Sequence, residues 1–346
     1  MSEIDVISDS SKNREDWNNY LLSASEANFY QRFEWQQLNQ DHFGHQIFSI
    51  LSRGDAGVEG VLPLVFIKSR LFGRIFCSMP FVNFGGVCAN SDDIEKKLLE
   101  KAIQLSDQHQ VDYLEMRSTK SSVLDLPEST RKVSMSIKLD EDHDKLWSAF
   151  KSKHRTNIRR VYKNDIQVVS GHAELLDDFY LVMSHSWRDL GTPFYKKRYF
   201  KKLLDLFGKE DIKIFVAYRG GEPICVALNG YYKKTVEGMW MGTILEHRHL
   251  QPTYALYWEM IKDSCENGYV DYHLGRSTAD SSGEAFKKKW NAEMTQLYWQ
   301  YYIPGNGEIP QLNVDNAKYK LAIDIWKRLP LSIVGRIGPL ISKSIP

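Results

Sequence analysis

The stretch of sequence that decides the fold is Val270-Asp271-Tyr272-His273-Leu274-Gly275-Arg276-Ser277-Thr278. An earlier stretch, Val111-Asp112-Tyr113-Leu114-Glu115-Met116-Arg117-Ser118-Thr119, matches it without a gap at six of nine positions. Each copy follows a segment with the apolar spacing of an amphipathic helix, at residues 94–109 and 252–267. The match predicts that the strands containing Tyr113 and Tyr272 occupy equivalent positions in a duplicated fold.

The repeat extends upstream of both strands. Ser52-Arg53-Gly54 precedes the apolar run 61–66, and Tyr218-Arg219-Gly220 precedes the apolar run 226–228. The sequence therefore predicts an α/β protein with two tandem units of strand, Gly turn, strand, helix and strand, related by a pseudo-twofold axis. At 346 residues the chain is also long for one core. We expect an N-terminal domain at 1–140, a C-terminal domain at 141–305 and a basic, apolar helical tail at 306–346.

The composition is that of a globular protein with almost no net charge. Hydrophobic residues make up 42% and charged residues 26%, which are globular values, and the net charge of +1 excludes a global field for nucleic acid. The four cysteines, Cys77, Cys88, Cys225 and Cys265, show no metal-ligand spacing and are expected to be buried thiols. No secretory signal or membrane-spanning run is evident, so a cytoplasmic protein, at most peripheral at the inner membrane, is expected.

The second copy continues into a lysine cluster. Arg276, Ser277 and Thr278 enter a polar loop that leads to Phe286-Lys287-Lys288-Lys289-Trp290, a pattern of fixed donors and cations that suits a phosphate, a carboxylate or a developing oxyanion. A strand-like stretch would send Lys287 and Lys289 to one side and Lys288 to the other. We predict that Lys287 stabilises charge and that Arg276, Ser277 and Lys289 bind substrate. The alternative is a surface cluster beside a tryptophan.

Other candidates lie earlier in the second half. A predicted helix ends at Arg188-Asp189-Leu190-Gly191-Thr192-Pro193, where the Arg-Asp pair either caps the helix or directs Arg188 at a substrate anion. The predicted strand 235–243 carries Glu237 and Trp240. Trp240 and Tyr254, together with Arg188 and Asp189, complete the candidate substrate-binding set.

Two basic segments could bind polyanions. Residues 151–163 contain six cations and no acid, and Arg155, Arg159 and Arg160 would line a helix suited to a polyphosphate or RNA backbone, unless they form a solvated face. Residues 326–346 interleave four cations with apolar residues and contain no acid. This tail either docks on the protein or lies on an anionic membrane surface, and its Pro and Gly residues argue against one regular helix.

The order of elements is that of the GNAT acyltransferase core. No serine-hydrolase triad, zinc motif, P-loop or dinucleotide fingerprint is present. GNAT enzymes usually hold the pyrophosphate of coenzyme A on a Gly-rich loop before the helix, but here the loop is Arg248-His249-Leu250-Gln251-Pro252-Thr253. It lacks glycine, and Pro252 removes one N–H donor. We therefore expect no tightly bound cofactor and no metal.

The chain resembles the FemAB family of tandem-GNAT peptidyltransferase-like proteins, in the branch associated with the PEP-CTERM and exosortase system. The motifs that carry this resemblance span nearly the whole chain: Phe43-Gly44-His45, Gly60-Val61-Leu62-Pro63-Leu64, Lys68-Ser69-Arg70-Leu71-Phe72-Gly73, Pro80-Phe81-Val82-Asn83-Phe84-Gly85-Gly86, Arg188-Asp189-Leu190-Gly191-Thr192-Pro193, Gly275-Arg276-Ser277-Thr278 and Phe286-Lys287-Lys288-Lys289-Trp290. The resemblance implies transfer of an aminoacyl or acyl group to an amine of a cell-envelope or exopolysaccharide precursor. It also implies a transition-state role for Lys287 and an acceptor-binding role for Arg188.

The chain departs from the family in three places. Leu38-Asn39-Gln40 lacks the family's substrate-binding lysine, the long helical arm that some members use for tRNA is absent, and Asn291 stands where a glycine usually follows the tryptophan. The donor, aminoacyl-tRNA or an acyl thioester, therefore stays open, as does the acceptor, a small molecule or a lipid- or nucleotide-linked glycan. The alternatives are an N-acyltransferase that uses acyl-CoA or an acyl carrier, and a non-catalytic binder of anionic glycan or RNA.

Overall fold

The structure, a computed structural model, describes residues 3–69, 72–305, 307–309 and 317–345. Arg70 and Leu71 of the motif at 68–73, and residues 306, 310–316 and 346 of the predicted tail, lie outside the described residues. The strands are β1 Glu3–Ile7, β2 Gln46–Gly54, β3 Gly57–Ser69, β4 Gly73–Cys77, β5 Cys88–Ala89, β6 Tyr113–Ser118, β7 Glu128–Ser129, β8 Lys132–Lys138, β9 Ile166–Gly171, β10 Ile212–Arg219, β11 Glu222–Tyr232, β12 Thr235–Thr243, β13 Asp271–Thr278, β14 Glu293–Gln296 and β15 Tyr298–Tyr302.

The helices alternate with these strands. They are α1 Ser11–Ser23, α2 Phe33–Leu38, α3 Asp92–Gln108, α4 His143–Ala149, α5 Ser152–Tyr162, α6 Leu176–Leu190, α7 Lys197–Asp211, α8 Thr253–Glu266, α9 Ser282–Lys288, α10 Ala317–Arg328 and α11 Leu331–Ser342, with short helical turns at Phe29–Gln31, Asn39–Phe43, Ala173–Leu175 and Leu245–Leu250. The predicted helices at 94–109 and 252–267 are confirmed as α3 and α8.

The chain forms two compact units. Unit 1 comprises residues 1–133, 295–311 and 343–346, and unit 2 comprises residues 134–294 and 312–342. Strand β15 therefore belongs to unit 1, although the sequence placed it in a second domain at 141–305. It pairs antiparallel with β6, from Tyr298 opposite Ser118 to Tyr302 opposite Leu114. Without β15, β6 would present an open row of backbone groups at a sheet edge.

Unit 1 contains an eight-stranded sheet. Its strands are ordered β1-β2-β3-β4-β6-β15-β7, and β5 pairs with β3. β1 to β4 form antiparallel pairs, whereas β4 and β6 are parallel and are joined through α3. Apolar residues of α3, including Leu98 and Leu105, pack with Leu114 and Phe76 in the core of this unit.

Unit 2 repeats this order of elements. Its sheet runs β14-β8-β13-β12-β11-β10-β9, in which β9 to β12 form antiparallel pairs and β12 is parallel to β13 across α8. The prediction of two tandem units with the GNAT order of strand, hairpin, helix and strand is confirmed. The four cysteines are buried thiols, as the sequence predicts.

The two copies of the repeat are equivalent as strands but not residue by residue. Leu114 faces α3, so Tyr113 faces the opposite side of its sheet. Tyr272 instead faces α8, where its hydroxyl lies 3.2 Å from the sulfur of Met260. The last parallel pairs align Glu115 with His273, an offset of 158 residues, whereas the sequence match has an offset of 159. A shift of one residue moves every side chain to the other face.

The tail docks on unit 2 through one face. It forms two helices, α10 and α11, and the break falls at Pro330, although Pro339 lies within α11. Trp326 and Val334 are buried against Phe194, and both helices contact α6. Within the described ranges, none of the helices has both the length and the apolar content of a bilayer-spanning segment.

Candidate active site

A gap opens in the sheet of unit 2 where β12 and β13 separate. Three parallel pairs join these strands, and the last is Glu237 with His273. β12 nevertheless runs on to Thr243 and β13 to Thr278. Backbone groups beyond the last pair need other partners, because an unpaired buried carbonyl or amide costs free energy.

Lys287 occupies the end of this gap. Its Nζ donates to the carbonyl of Gly275 at 2.7 Å and to the carbonyl of Arg276 at 3.0 Å, and the side chain is only 9% exposed. Successive carbonyls of a regular strand point in opposite directions. Gly275 has a φ of +74°, which breaks that alternation and turns both carbonyls to one amine. Gly275 thus positions the two carbonyls that accept hydrogen bonds from Lys287.

The environment of Lys287 changes its ionisation. Burial, and to a smaller extent the neighbouring Arg276 guanidinium, lowers the pKa of Lys287 to about 8. A buried ammonium loses hydration, so its neutral form is favoured relative to water. Perturbed ionisation in a cleft is typical of functional sites, although structural charges show it as well.

The lysine cluster is helical, and the strand-like stretch predicted there is wrong. Ser281 caps α9 by accepting from the amide of Glu284, and the helix continues to Lys288. Lys288 pairs with Glu284 at 2.5 Å across one helical turn, while Lys289 lies 5.7 Å from the ring of Phe286. Because successive residues of a helix point about 100° apart, the three lysines do not share a side. Lys287 and Lys289 therefore cannot act as the pair that strand geometry predicted.

Aromatic side chains enclose the segment that carries Lys287. Trp290 is fully buried, and the ring centroids of His154 and Tyr257 lie 4.4 and 5.3 Å from it. Tyr254, a predicted substrate-binding residue, is 5% exposed and packs 5.5 Å from Phe286. Tyr254 therefore packs against the segment that carries Lys287 from α8, and little of its side chain is exposed to a ligand.

Asn291 keeps the backbone that the family's glycine would provide. It has a φ of +57°, in the left-handed region, and its side-chain amide donates to the carbonyl of Ala149 at 3.2 Å. Asparagine is among the residues that tolerate this conformation best after glycine. The departure from the motif therefore leaves the local chain path intact.

Sequence reasoning named Glu237 on its strand but assigned it no role at the gap. Glu237 is 1% exposed, and its Oε1 lies 3.0 Å from Nδ1 of His273, while Oε2 makes no hydrogen bond among the described residues. Burial lowers the pKa of His273, but the carboxylate of Glu237 raises it, and the net direction is upward. The sequence feature that could have indicated a role is a carboxylate within a strand whose neighbouring strands are largely apolar.

The predicted substrate-binding residues on α6 and β12 contact side chains of unit 2. Arg188 donates to Oδ1 of Asp189 from Nε at 3.0 Å and from Nη2 at 2.8 Å, so the predicted pair forms at the end of the helix. The second oxygen of Asp189 is buried and makes no hydrogen bond in the part of the chain that the structure describes. Trp240 packs against Tyr199 and Phe200 of α7.

Arg276 and Ser277 lie on β13 itself, at the end of the strand next to α9. Both side chains are partly exposed, and the carbonyl of Arg276 is one of the two that Lys287 contacts. The structure thus brings Arg276, Ser277 and Lys287 together at the end of the gap, whereas Tyr254 packs behind them against Phe286.

The arginines predicted to bind polyanions lie on α5. Arg155 donates to the carbonyl of Ser148 at 3.0 Å, and Arg159 stacks 5.1 Å from the ring of Trp147. Arg160 donates to Oε1 of Gln251 at 2.7 Å, in the loop before α8 where GNAT enzymes usually carry glycines. Gln251 has a φ of +56°, so this non-glycine residue adopts the turn of the loop. A cation therefore lies beside the positive end of a helix.

Comparison with known proteins agrees with this topology. Residues 148–288 match the acetyltransferase (GNAT) domain family. The matched residues lie within unit 2 and make up less than half of the chain. A curated relative, UDP-N-acetylmuramoylpentapeptide-lysine N(6)-alanyltransferase from Weissella viridescens, is 25% identical over 137 residues, which are 39% of this chain and 40% of the relative. The match thus spans less than half the length of that relative.

Solved structures extend the likeness to both units. The crystal structure of FemX has a TM-score of 0.65 and 16% identity, and the match covers 87% of this chain and 97% of that one. A tandem GNAT protein from the clavulanic acid biosynthesis pathway has a TM-score of 0.57 and 10% identity, covering 89% and 100%. These structural matches confirm the tandem GNAT fold, and the family match of residues 148–288 supports the expectation that the protein is a transferase.

Proposed function

We propose that the protein is a Fem-type acyltransferase that moves an aminoacyl or acyl group onto an amine of a cell-envelope or exopolysaccharide precursor. Lys287 stabilises the transition state. Arg276 and Ser277 contact the reacting groups at the end of the gap, Arg188 with Asp189 and Trp240 holds the acceptor, and Lys289, on another side of the helix, binds a part of the substrate remote from the reacting carbonyl. The proposal includes no tightly bound cofactor and no metal.

The observation that carries this proposal is the way in which two backbone carbonyls hold the amine of Lys287. An ammonium has three N–H donors, and two of them go to the carbonyls of Gly275 and Arg276. The third can meet a ligand that enters the gap. A fixed cation in a site that excludes water stabilises a developing oxyanion better than water does, because its orientation costs no reorganisation during the reaction.

The proposed reaction forms a C–N bond and breaks a C–O or C–S bond. The acceptor amine attacks the carbonyl carbon of the donor, and the carbonyl oxygen becomes negative while it faces Lys287. Collapse of this intermediate breaks the bond to the ribose oxygen of a tRNA or to the sulfur of a carrier, and the proton that the amine nitrogen loses ends on that oxygen or sulfur. An amine acceptor agrees with the name of the Weissella viridescens relative, which transfers alanine to a lysine side chain.

The donor is proposed to be polyanionic. Arg159 and Arg160 are exposed on α5, and Arg160 lies against Gln251, just before the first turn of α8. Phosphates are favoured there by both the cations and the helix N-terminus. Aminoacyl-tRNA fits this surface, and tRNA is then a partner of unit 2. Because such a donor is a cytoplasmic species, the reaction is placed in the cytoplasm, and a lipid-linked acceptor would be met at the inner membrane.

A second candidate is N-acyl transfer from an acyl-CoA or an acyl carrier. The match of residues 148–288 to the GNAT acetyltransferase family favours it. The loop before α8 weakens it, because Pro252 contributes no amide donor and α8 begins without a side-chain cap.

The test is a transfer assay with defined donors. Purified protein is incubated with alanyl-tRNA, seryl-tRNA or acetyl-CoA and with an amine acceptor such as UDP-N-acetylmuramoyl pentapeptide, and products are detected by mass spectrometry. Replacing Lys287→Met should reduce turnover by roughly 10²- to 10³-fold, the range for loss of one oxyanion donor.

The matched control is Lys288→Met, on the same helix. Lys288 pairs with the carboxylate of Glu284 and is 57% exposed, so its loss should leave turnover unchanged. Equal activity of Lys287→Met and wild type would contradict the role of Lys287. Transfer from acetyl-CoA alone would select the second candidate.

A further inference from the structure

Helices α10 and α11 each keep an apolar stripe in solvent. Leu321 and Ile325 of α10 are 62% and 53% exposed, and Ile333, Ile337 and Leu340 of α11 are 40%, 40% and 63% exposed. We refer to these five residues as the outer face. Their spacings of three and four residues place the members within each helix on one side. Isolated exposed apolar residues are ordinary, but clustered ones mark interaction surfaces.

We propose that the outer face is an interfacial membrane anchor that lies on an anionic phospholipid bilayer. The inference stands apart from the transfer reaction, because it concerns a different surface and needs neither donor nor acceptor. The helices would lie in the plane of the membrane surface, with the apolar stripe at the boundary between headgroups and acyl chains.

The first support is that this face is not needed to hold the tail in place. α11 docks through an adjacent stripe, in which Val334 is fully buried and Gly338 and Pro339 are buried as well. α10 docks through Trp326, which is 9% exposed. The contacts of these residues with Phe194 and α6 account for docking. The outer face is thus additional apolar surface on helices that are already fixed.

The second support is the net positive charge of the two helices that carry the outer face. Residues 320–342 contain four cations, Lys320, Lys327, Arg328 and Arg336, and one acid, Asp324. Arg336 adjoins Ile333 on the helix surface, because the two residues are three positions apart. This excess of three positive charges complements anionic headgroups, which attract basic residues near the membrane surface.

A bilayer fits this combination better than a protein partner does. The exposed apolar side chains are all aliphatic, without the aromatic residues that are enriched at protein interfaces. Long cationic side chains can place their charge among headgroups while their stems stay with the apolar stripe. Basic residues with aliphatic ones on a solvent-exposed helix are typical of helices that bind anionic lipid surfaces.

The test is co-sedimentation of the full-length protein with vesicles. One set contains phosphatidylcholine alone, and the other contains an equal mixture of phosphatidylcholine and phosphatidylglycerol. We expect the protein to pellet with the anionic set, to be released by high salt, and to bind the neutral set weakly. Failure to bind the anionic vesicles would overturn the proposal.

Two variants separate the apolar and charged contributions. Leu321→Gln/Ile325→Gln/Leu340→Gln should lower vesicle partitioning by more than about tenfold, since each buried aliphatic side chain contributes strongly. Lys327→Gln/Arg328→Gln/Arg336→Gln should lower it on the order of 100-fold, as three surface cations are lost. Either variant binding like wild type would overturn the corresponding half of the argument and the proposal with it.

Matched controls come from elsewhere on the chain. Leu22 is 62% exposed, equal to Leu321, so Leu22→Gln tests the loss of an exposed leucine as such. Lys12→Gln/Lys96→Gln/Lys209→Gln removes three exposed cations from other helices. Both controls should keep vesicle binding within about twofold to threefold of wild type for a surface that acts locally.

Two further measurements keep the outcome clear. Circular dichroism and thermal melting should be unchanged in the variants, because the replaced side chains are largely exposed and glutamine is a good helix former. Sedimentation velocity shows whether a second copy of the chain covers the face instead. Self-association of the wild type that the Leu321→Gln/Ile325→Gln/Leu340→Gln variant abolishes would replace the membrane with a dimer and overturn the proposal.

Discussion

The two units satisfy the same backbone position with different groups. In unit 1 the last parallel pair is Cys77 with Glu115. Two residues further along β6, the carbonyl of Arg117 accepts from the amides of Gly85 at 3.1 Å and Gly86 at 2.9 Å. A loop of the same unit thus closes the gap between the parallel strands with neutral, fixed donors.

In unit 2 the last parallel pair is Glu237 with His273. Two residues further along β13, the carbonyl of Gly275 accepts from Nζ of Lys287. An ionisable amine stands where unit 1 has backbone amides. A neutral amide pair can only hold the strand, whereas an ammonium can also stabilise a negative charge.

A second contrast concerns the ion pairs on the face opposite the crossover helix. In unit 1, Nε of Arg117 donates to Glu115 at 2.8 Å, its guanidinium stacks 4.5 Å from the ring of Trp299, and Tyr301 donates to the second oxygen of Glu115 at 2.9 Å. Arg117 is 1% exposed. A buried pair with its polar atoms satisfied in this way is typical of a structural network.

In unit 2 the corresponding pair is less complete. The side chain of His273 is 26% exposed, and Oε2 of Glu237 makes no hydrogen bond among the described residues. A buried carboxylate with an unsatisfied oxygen costs stability, and such groups tend to occur at functional sites. The comparison teaches that both units have the same fold, while the polar atoms of the Glu237–His273 pair are less fully satisfied than those of the Glu115–Arg117 pair.

The largest effect is expected from breaking the pair of unit 1. Arg117→Met should lower the free energy of unfolding by about 3 to 5 kcal/mol, because it leaves the charge of Glu115 buried without its partner. Chemical denaturation followed by fluorescence measures this change. The double variant Glu115→Gln/Arg117→Met should recover part of the loss, since no unpaired charge remains. A loss well below about 1 kcal/mol for Arg117→Met would show that the pair is not structural.

An intermediate effect is expected from pH. The pKa of Lys287 is lowered to about 8 by burial and by Arg276, so the protonated form that stabilises an oxyanion is present below pH 8 and is lost above it. Turnover at saturating substrate should therefore fall by about tenfold per pH unit above that value. A pH-rate profile measures it. Lys287→Met should retain a low rate without this alkaline limb, and an identical limb in both proteins would assign it to another group.

The smallest effect is expected at Glu237. Glu237→Gln removes the charge that raises the pKa of His273, so that pKa should fall, which NMR titration of the histidine can follow. Stability should fall by about 1 kcal/mol, the typical net value of one polar interaction. Since a raised histidine pKa stabilises the fold at low pH, the difference from wild type should shrink as pH rises above the ordinary histidine value of about 6.5. An unchanged His273 titration would mean that the two groups do not interact.

Much of the fold could be predicted because it depends on local patterns. The hairpins around Gly54 and Gly220, and helices α3 and α8, follow from turn residues and apolar spacing that a sequence shows directly. The duplication was visible as well. The register between the two copies could not be predicted, because two strands with similar residues can differ by one position. Only packing against α3 and α8 determines which side chains face the helix.

The site was predictable in part for the same reason. Lys287 could be selected from its cluster, but the strand geometry used to choose it was wrong, since Ser281 and Glu284 form a local helix start that outweighs a short polar run. The pairing of Glu237 with His273 joins residues 36 positions apart, and no local pattern indicates which strands will be parallel neighbours.

Strand β15 sets an order for folding during synthesis. It covers β6 and carries the Trp299 and Tyr301 that enclose the Arg117–Glu115 pair, yet it lies after all of residues 134–294 in the chain. A ribosome that releases the chain from its N-terminus therefore delivers the whole sheet of unit 2, apart from the end of β14, before the sheet of unit 1 can close. Until then the nascent chain holds an open β6 edge and an uncovered ion pair. The sheet whose first strand is made first is therefore the sheet that closes last.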